Sequence, residues 1–285
     1  MGWFSRKKTT EQPPESPPQE EKWIQCSSCK AHIFKEEWVK NFKVCPRCDF
    51  HERLTWDERV DMLMDPGTYA EINSKITFAD PLQFKDAKGS YAEKAKQTVA
   101  KTGMKEAVVT GHGKINGIRV VLAVMDFQFL GGSLGSGTGE RIFQAARYAT
   151  KHGLPYIVVS ASGGARMHEG IVSLMQMAKT CAGIAELNRE RVPYISILSD
   201  PTTGGVSASF AMVGDINIAE PKALVAFAGR RVIEQTIKQT LPDDFQTAEY
   251  VLNHGFIDLV VTRKDLKETL YHILQYCVGQ KVTEN

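Results

Sequence analysis

Two short apolar runs, each followed by a glycine-containing turn, organise the pattern of hydrophobic positions along the chain. Residues 155–159 are PYIVV and residues 192–198 are VPYISIL, and such β-branched runs predict buried strands. After the first turn, apolar residues recur with helical spacing and predict a helix over residues 171–186. After the second turn, the small residues 207–213 predict a closely packed helix. Two successive strand–turn–helix units predict a parallel sheet whose turns open at the same edge.

The two turns are candidates for a backbone anion site. The first lies within SASGGARMHEG at residues 160–170, and the second within SDPTTGGV at residues 199–206. Glycine lets the backbone turn sharply and leaves its N–H groups bare, and a helix start adds unpaired donors and a positive dipole end. Such a site suits an oxyanion, for example the enolate of a thioester. One such turn could be an ordinary tight connection, but two neighbouring copies favour a paired backbone hole. The predicted contributors are Gly163, Gly164, Ala165, Gly204 and Gly205.

The rest of the chain alternates short strands and helices. Asn116-Gly117 lies between two strand-like runs and is a strong hairpin signal. The further predicted elements are strands over residues 107–115, 118–125, 216–219, 223–226 and 257–262, and helices over residues 54–64, 79–103, 140–151, 247–253 and 266–278.

Four cysteines near the N-terminus have the spacing of a metal site. Cys26 and Cys29 form one CxxC knuckle, and Cys45 and Cys48 form a second. Two such knuckles supply the four thiolates that a structural zinc ion prefers. Disulfides are the alternative, and a reducing cytoplasm disfavours them. A shell of four thiolates leaves no position for water, so the sequence predicts a structural rather than a catalytic zinc.

A zinc ribbon also raises the question of nucleic-acid binding. Residues 22–60 contain eight Lys or Arg against six Asp or Glu, which is only a small excess of positive charge. Trp23, Phe34, Trp38 and Phe42 could stack on bases, but a small ribbon needs such residues for its own core. Weak RNA or DNA binding through the ribbon therefore stays open.

A glycine-rich loop, GGSLGSGTG, occupies residues 131–139. Residues 131–135 match G-x-S-x-G, the nucleophile elbow of α/β hydrolases. That motif requires a helix directly after the serine, whereas the later glycines predict a helix start only near Glu140. No Gly-Lys-Ser/Thr follows, so the loop is not a nucleotide P-loop. We expect it to approach a ligand closely or to be a mobile loop.

Composition limits the remaining possibilities. With 285 residues, 42% hydrophobic and 24% charged, the chain fits one large domain plus a small appendage. A net charge of +2 and the lack of a long apolar run or signal-peptide core predict a cytoplasmic protein without a membrane anchor. The expected division is a disordered, proline-rich tail over residues 1–22, a zinc ribbon over residues 23–50 and one large domain over residues 51–285.

Several uncommon sequence motifs occur here in the order that is typical of a known family. SASGGARMHEG, SDPTTGGVSAS, FAGRRVIEQT at residues 227–236 and the four-cysteine cluster resemble the β-subunit family of bacterial acetyl-CoA carboxylase carboxyltransferases. The resemblance implies an α/β, crotonase-like spiral of ββα units behind an N-terminal zinc ribbon. It also implies carboxyl transfer from carboxybiotin to acetyl-CoA, which forms malonyl-CoA in the first committed step of fatty acid biosynthesis. Gly131 and Gly132 would then lie beside the acyl-CoA cleft, and Arg230 and Arg231 could pair with CoA phosphates or with a carboxylate of a partner.

The resemblance also implies partners. The chain contains no Met-Lys-Met biotinylation motif and no ATP-binding motif. The family adds an α subunit, expected as an α2β2 assembly, together with a biotin carboxyl carrier protein and a biotin carboxylase, so the chain alone is expected to be nearly inactive. Two other hypotheses remain. A crotonase-like hydratase or isomerase would need a carboxylate over the substrate, and Glu169, the acid close to a turn, is not obviously aimed inward. A nucleic-acid-binding zinc protein would show steep salt dependence.

Overall fold

A twisted eight-stranded sheet forms the centre of the computed structural model, which describes residues 22–87 and 89–279. The predicted tail over residues 1–22 lies outside the described residues except for Lys22. The strand order is β12-β10-β9-β8-β7-β6-β3, and β11 pairs with β9 off this path. Separate two-stranded sheets are formed by β1 with β2 and by β4 with β5. The strands are β1 Trp23–Gln25, β2 His32–Phe34, β3 Ala70–Ile72, β4 Lys85–Asp86, β5 Gly89–Ser90, β6 Val108–Ile115, β7 Ile118–Met125, β8 Tyr156–Ser162, β9 Tyr194–Thr203, β10 Ile216–Ala219, β11 Val225–Ala226 and β12 Leu259–Val260.

Helices cover both faces of this sheet. Alternate residues of β7 point to opposite sides, so Val121 and Ala123 pack in the core beneath α4 and α5, whereas Val120 and Leu122 pack beneath α2 and α8. The strands are therefore apolar on both faces, as the sequence pattern predicted. The helices are α1 Lys35–Lys40, α2 Trp56–Leu63, α3 Tyr91–Thr102, α4 Ser136–His152, α5 Ile171–Arg189, α6 Arg230–Ile237, α7 Ala248–Asn253 and α8 Arg263–Gly279. In the part of the chain that the structure describes, none of them is long and apolar enough to span a bilayer.

The strand pairing confirms the parallel sheet and the hairpin. Strands β7, β8, β9, β10 and β12 run parallel to one another, so β8 and β9 end at the same edge. Strands β6 and β7 pair antiparallel around Asn116 and Gly117, whose positive φ angles of 44° and 86° suit a tight hairpin turn.

Three predicted helices were wrong in extent or type. The helix predicted from residue 79 begins only at Tyr91, where the Ser90 hydroxyl caps it and β4 and β5 form the preceding hairpin. The helix predicted from Glu140 already begins at Ser136. The segment 207–213 is a turn with a single 3-10 turn at Phe210–Met212, not an α-helix. Serine hydroxyls bond to nearby backbone carbonyls there and compete with helical hydrogen bonds.

A buried ionic group, which we call the anchor cluster, joins the ribbon to the main domain. It consists of Arg59, Glu220 and Arg263, whose side chains are all at least 96% buried. Arg263 donates to both Glu220 carboxylate oxygens at 2.8 and 2.9 Å, and it also donates to the Phe42 carbonyl at 2.9 Å. Burial alone would raise the pKa of the Glu220 carboxyl, but the two guanidinium groups outweigh it and hold that pKa well below its usual value. The cluster thereby fixes α2, α8 and the ribbon to one end of the sheet.

Candidate active site

The two glycine turns lie in direct contact. Strand β8 leads into Gly163-Gly164-Ala165 and strand β9 into Gly204-Gly205, and the pairing of Ser162 with Thr202 holds these strand ends together. A Cβ atom built on Gly164 would lie 3.2 Å from the Gly204 Cα, and one built on Gly204 would lie 3.1 Å from the Gly164 Cα. Both residues have positive φ, 111° and 62°. The structure therefore places the predicted turns side by side, with room only for glycine at their contact.

Three of the predicted backbone donors are engaged inside the protein. The Gly163 N–H donates to the Gly131 carbonyl at 2.9 Å, and the Gly164 N–H donates to the Ser162 hydroxyl at 3.0 Å. The Gly204 N–H donates to the carbonyls of Ala226 and Phe227 at 3.0 and 3.2 Å. These groups shape the turns but offer no open donor.

The N–H groups of Ala165 and Gly205 are open. Neither has a hydrogen-bond partner among residues 22–87 and 89–279. A Cβ atom built on Gly205 would lie 3.6 Å from the Ala165 nitrogen, so the two groups are neighbours. Gly205 is buried and Ala165 is half-buried. Buried backbone donors are nearly always paired, so an unpaired N–H at Gly205 with a second open N–H beside it is a natural place for an acceptor oxygen.

Peptide planarity sets the direction of both open donors. The Gly164 carbonyl accepts from the Leu134 N–H at 2.8 Å, and the Ala165 N–H belongs to the same trans peptide, so it points the opposite way. The Gly204 carbonyl accepts from the Ala208 N–H at 3.0 Å and from the Ser207 hydroxyl at 3.0 Å, which orients the Gly205 N–H in the same manner.

A cleft of about 630 Å³ lies next to the turns. Gly163 and Gly204 line it at one end, and Lys222, Phe227 and Arg230 line it further along. The half-buried Arg230 pairs with Glu234 at 3.2 Å and donates to the carbonyl of Asp243 at 3.3 Å. Its guanidinium thus ties α6 to the following segment, while Arg231 is exposed at the start of α6.

A second buried ionic group lies behind the first turn. We call it the turn cluster, and it consists of Arg166, Glu106, Glu169 and Tyr91. Arg166 donates to the two Glu106 oxygens at 2.5 and 3.1 Å, and the Tyr91 hydroxyl donates to Glu169 at 2.7 Å. Burial alone would lower the pKa of the Arg166 guanidinium, but Glu106 outweighs it and raises that pKa above its usual value. Burial also raises the pKa of the Tyr91 hydroxyl.

The glycine loop packs against this cluster. A Cβ atom on Gly135 would lie 2.5 Å from the Arg166 Nη1 and 2.7 Å from the Glu169 Oε1, and one on Gly137 would clash with Glu106. The loop glycines therefore permit close approach of buried side chains, which explains why α4 can begin at Ser136. The Ser133 hydroxyl accepts from the Arg166 Nε at 3.0 Å, an arrangement unlike that of a hydrolase nucleophile.

The contacts of Glu169 could not be predicted from the sequence. Its side chain is fully buried, accepts from the Ser136 N–H at 2.5 Å and is not among the residues that line the cleft. It points into the turn cluster, where Tyr91 and Ser136 donate to its carboxylate. Glu106 was missed altogether, although an acid directly before the apolar run Ala107-Val108-Val109 could have indicated a buried partner for an arginine.

The four cysteines form a cluster that fits zinc. Their Sγ atoms lie within 4.8 Å of one another, with Cys26 to Cys48 at 3.8 Å and Cys29 to Cys45 at 3.7 Å. Tetrahedral zinc with bonds of about 2.3 Å requires sulfur–sulfur separations of about 3.8 Å. Of the ribbon aromatics, Trp38 is buried in the ribbon core, and Trp23 is exposed with its ring edge-on to Phe34.

Comparisons with known proteins agree on both parts of the chain. The family model for the carboxyl transferase domain matches residues 51–264, and the model for the acetyl-CoA carboxylase zinc finger domain matches residues 23–48. A curated relative from Clostridioides difficile (strain 630), the acetyl-coenzyme A carboxylase carboxyl transferase subunit beta, is 52% identical over 255 residues, which cover 88% of this chain and 87% of its own length. The protein of the same name from Prochlorococcus marinus (strain MIT 9312) is 49% identical over 253 residues, covering 89% and 86%.

Solved structures confirm the predicted crotonase-like fold class. A transcarboxylase 12S structure with hydrolysed methylmalonyl-coenzyme A bound superposes with a TM-score of 0.66 at 28% identity, covering 78% of this chain and 41% of that one. The present chain thus corresponds to about two fifths of that protein. The MdcD–MdcE hetero-dimer of a Pseudomonas malonate decarboxylase superposes with a TM-score of 0.59 at 22% identity, a likeness of fold alone.

Proposed function

We infer the function from the premise that this chain belongs to the carboxyl transferase domain family: it is the β subunit of an acetyl-CoA carboxylase carboxyltransferase. Its reaction is the transfer of a carboxyl group to acetyl-CoA, which gives malonyl-CoA for fatty acid biosynthesis. The zinc held by the four cysteines is structural, because four thiolates complete its coordination shell.

The open N–H groups of Ala165 and Gly205 support an assignment of the catalytic site. We propose that both donate to the thioester oxygen of acetyl-CoA as negative charge develops on it during enolate formation. Fixed donors aimed at that oxygen stabilise the transition state without reorganisation, and loss of one such donor in other enzymes costs about 3 kcal/mol. Gly163, Gly164 and Gly204 contribute by shaping the two turns.

No side chain of this subunit is assigned as the base. When bound on its carrier protein, carboxybiotin would supply both the carboxyl group and the base for the methyl proton. The residues described here then need only bind the thioester, orient its methyl group and stabilise the enolate oxygen. Glu169, the acid that a hydratase or isomerase would need, is occupied by Tyr91 and Ser136, which favours carboxyl transfer over those reactions.

The assignment of CoA contacts extends the proposal to the cleft. Gly131, Gly132, Arg230 and Arg231 remain proposed contacts of the CoA moiety, and Lys222 joins them because it lines the cleft together with Arg230. The two arginines would bind phosphate or a partner carboxylate by charge-assisted hydrogen bonds.

Partners complete the enzyme. A β subunit of the multisubunit carboxylase acts with an α subunit, a biotin carboxyl carrier protein and a biotin carboxylase, and we propose an α2β2 carboxyltransferase core in the cytoplasm. We retain the division into a ribbon over residues 23–50 and a catalytic domain over residues 51–285. Nucleic-acid binding by the ribbon stays a prediction.

The reverse reaction tests this function. Carboxyl transfer from malonyl-CoA to free biocytin would be measured with this chain alone and with the chain co-expressed with a carboxyltransferase α chain. Activity in the assembled complex, and little in the chain alone, is the expected result. A complex that forms with its zinc in place and yet transfers no carboxyl group would contradict the proposal.

A further inference from the structure

The turn cluster is buried directly behind the proposed oxyanion site, yet no step of the reaction uses it. Arg166 follows Ala165 in the chain, and its guanidinium is fully buried on the inner side of the turn. It donates at 3.2 to 3.4 Å to the Tyr91 hydroxyl, to one Glu169 oxygen and to the Thr138 hydroxyl, in addition to Glu106. Burying several ionisable groups is costly unless all are paired, so a cluster of this kind calls for a specific role.

The cluster is connected to the Ala165 peptide through the glycine loop. Arg166 donates to the Ser133 carbonyl at 2.8 Å and to the Ser133 hydroxyl at 3.0 Å. The next residue, Leu134, donates its N–H to the Gly164 carbonyl at 2.8 Å and accepts from the Arg166 N–H at 3.0 Å. Leu134 therefore forms backbone hydrogen bonds with the residues on both sides of Ala165. Its own position depends on the hydrogen bonds that Arg166 makes to Ser133.

Glu106 and Glu169 fix the guanidinium from the other side. Glu106 also accepts from the Thr138 hydroxyl at 2.9 Å and from the Ala107 N–H at 2.8 Å, which joins the start of β6 to the first turn of α4. Glu169 accepts from the Ser136 N–H at the start of the same helix. The end of the loop that enters α4 is thereby held by carboxylates that in turn hold Arg166.

We propose that Arg166 and Glu106 are positioning residues for the oxyanion hole: they fix Leu134, and Leu134 sets the orientation of the Gly164–Ala165 peptide. With Leu134 in place, the Gly164 carbonyl points to the loop and the Ala165 N–H points to the substrate oxygen. If the loop moves, this peptide is free to rotate and the donor is lost. The inference rests on the proposed function, because it assigns a role in forming that same site.

The anchor cluster supplies a matched control. Arg263 and Glu220 form an equally buried arginine–glutamate pair, but they hold the ribbon and α8 rather than a turn. The test measures kcat and KM for malonyl-CoA in the assembled αβ complex, together with its melting temperature, for Arg166→Lys, Glu106→Gln, Arg263→Lys and Glu220→Gln.

We expect Arg166→Lys and Glu106→Gln to lower kcat by about 100-fold while KM changes little, because a donor used mainly in the transition state is lost. Arg263→Lys and Glu220→Gln should lower the melting temperature and leave kcat of the assembled complex unchanged. Tyr91→Phe removes one hydroxyl from the turn cluster, keeps the ring and should lower kcat several-fold. This variant therefore tests the inference even if the charged variants fail to fold.

Two results overturn the inference. One is an unchanged kcat in Tyr91→Phe and in every folded charge variant of the turn cluster. The other is an equal loss of kcat in the anchor-cluster variants, which would indicate a general effect of instability. A wild-type complex without any carboxyl transfer would instead contradict the proposed function itself, so the two failures are distinguishable.

Discussion

The two glycine turns of the site look alike in sequence but are held in place by different means. In the second turn, the peptide that carries the Gly205 N–H is oriented by Ser207 and Ala208, which lie within four residues of it. In the first turn, the peptide that carries the Ala165 N–H is oriented by Leu134, thirty-one positions earlier in the chain. One donor therefore depends mainly on local sequence, and the other depends on a buried cluster assembled from three parts of the fold.

This difference shows how one half of the proposed catalytic site can be oriented by local hydrogen bonds while the other half is a product of tertiary structure. The local half needs glycine and serine at the right spacing, together with the Ala226 and Phe227 carbonyls that accept from the Gly204 N–H. The distant half needs Tyr91, Glu106 and Arg166 to meet in the interior, and it needs glycine at positions 135 and 137 so that they fit. Substitutions that disturb the first turn should therefore lower kcat more than substitutions that disturb the second turn. They should also be found in more parts of the chain.

Direct substitution at the contact between the turns should give the largest effect. Gly164 has φ of 111°, a conformation that side chains rarely adopt, whereas Gly204 has φ of 62°, in the left-handed region that alanine tolerates at about 1 kcal/mol. Gly164→Ala should lower kcat by about 100-fold or more, and Gly204→Ala by about tenfold. Steady-state kinetics of the two assembled complexes measure this. Equal losses would show that crowding between the turns, rather than backbone conformation, limits both positions.

Filling the space next to the turn cluster should give a smaller effect. A methyl group on Gly135 would press on the Arg166 guanidinium and on Glu169, and such overpacking costs about 1–3 kcal/mol. We expect Gly135→Ala to lower both the melting temperature and kcat. Gly229→Ala is the control for stability, because a Cβ atom there meets nothing within 4 Å. A Gly135→Ala complex with wild-type kcat would show that the loop can move without disturbing the first turn.

Zinc removal should act mainly on the ribbon and on the cleft wall beyond the second turn. The Lys222 ammonium donates to the Cys48 carbonyl at 3.2 Å, so an unfolded ribbon would release one cleft residue. Chelation should make the ribbon sensitive to protease while the catalytic domain persists, since the sheet has its own two cores. KM for malonyl-CoA should rise and kcat should change little. Mass spectrometry of the fragments checks the first point, and a collapse of the whole chain would contradict it.

The smallest effect is expected from Ser207→Ala in the second turn. The Ser207 hydroxyl donates to the Ala226 carbonyl at 2.6 Å and to the Gly204 carbonyl at 3.0 Å. The Ala208 N–H also donates to the Gly204 carbonyl and remains in the variant. The loss of one such hydrogen bond is worth about 0.5–1.5 kcal/mol. Melting temperature and kcat should both stay close to wild type. A large loss of kcat here would mean that the second turn is not held by redundant local bonds.

The sequence predicted the second turn and the strands better than it predicted the support of the first turn. Apolar runs of β-branched residues and Asn116-Gly117 have a local physical cause, so β8, β9 and the hairpin followed directly from them. The adjacency of Gly164 and Gly204 also followed, because parallel strands end at one edge. CxxC spacing likewise predicted the cysteine cluster that the structure shows.

The sequence could not indicate which partners the buried polar groups contact inside the fold. The glycines of the 131–139 loop suggested a ligand, but several of them make room for Arg166, Glu106 and Glu169. The start of α4 was placed four residues late for the same reason, since glycine at 137 and 139 disfavours a helix unless packing requires it. Which backbone N–H groups stay open depends on long-range hydrogen bonds and could be read only from the structure.

The most direct measurement of the central claim is the carbonyl stretching frequency of bound acetyl-CoA. Isotope-edited infrared difference spectra would compare [1-13C]acetyl-CoA free in solution and bound to the assembled αβ complex. If the Ala165 and Gly205 N–H groups donate to the thioester oxygen, the carbonyl band shifts to lower frequency on binding, and this shift diminishes in Arg166→Lys but not in Arg263→Lys. A bound carbonyl that absorbs at the frequency of free acetyl-CoA would contradict the account.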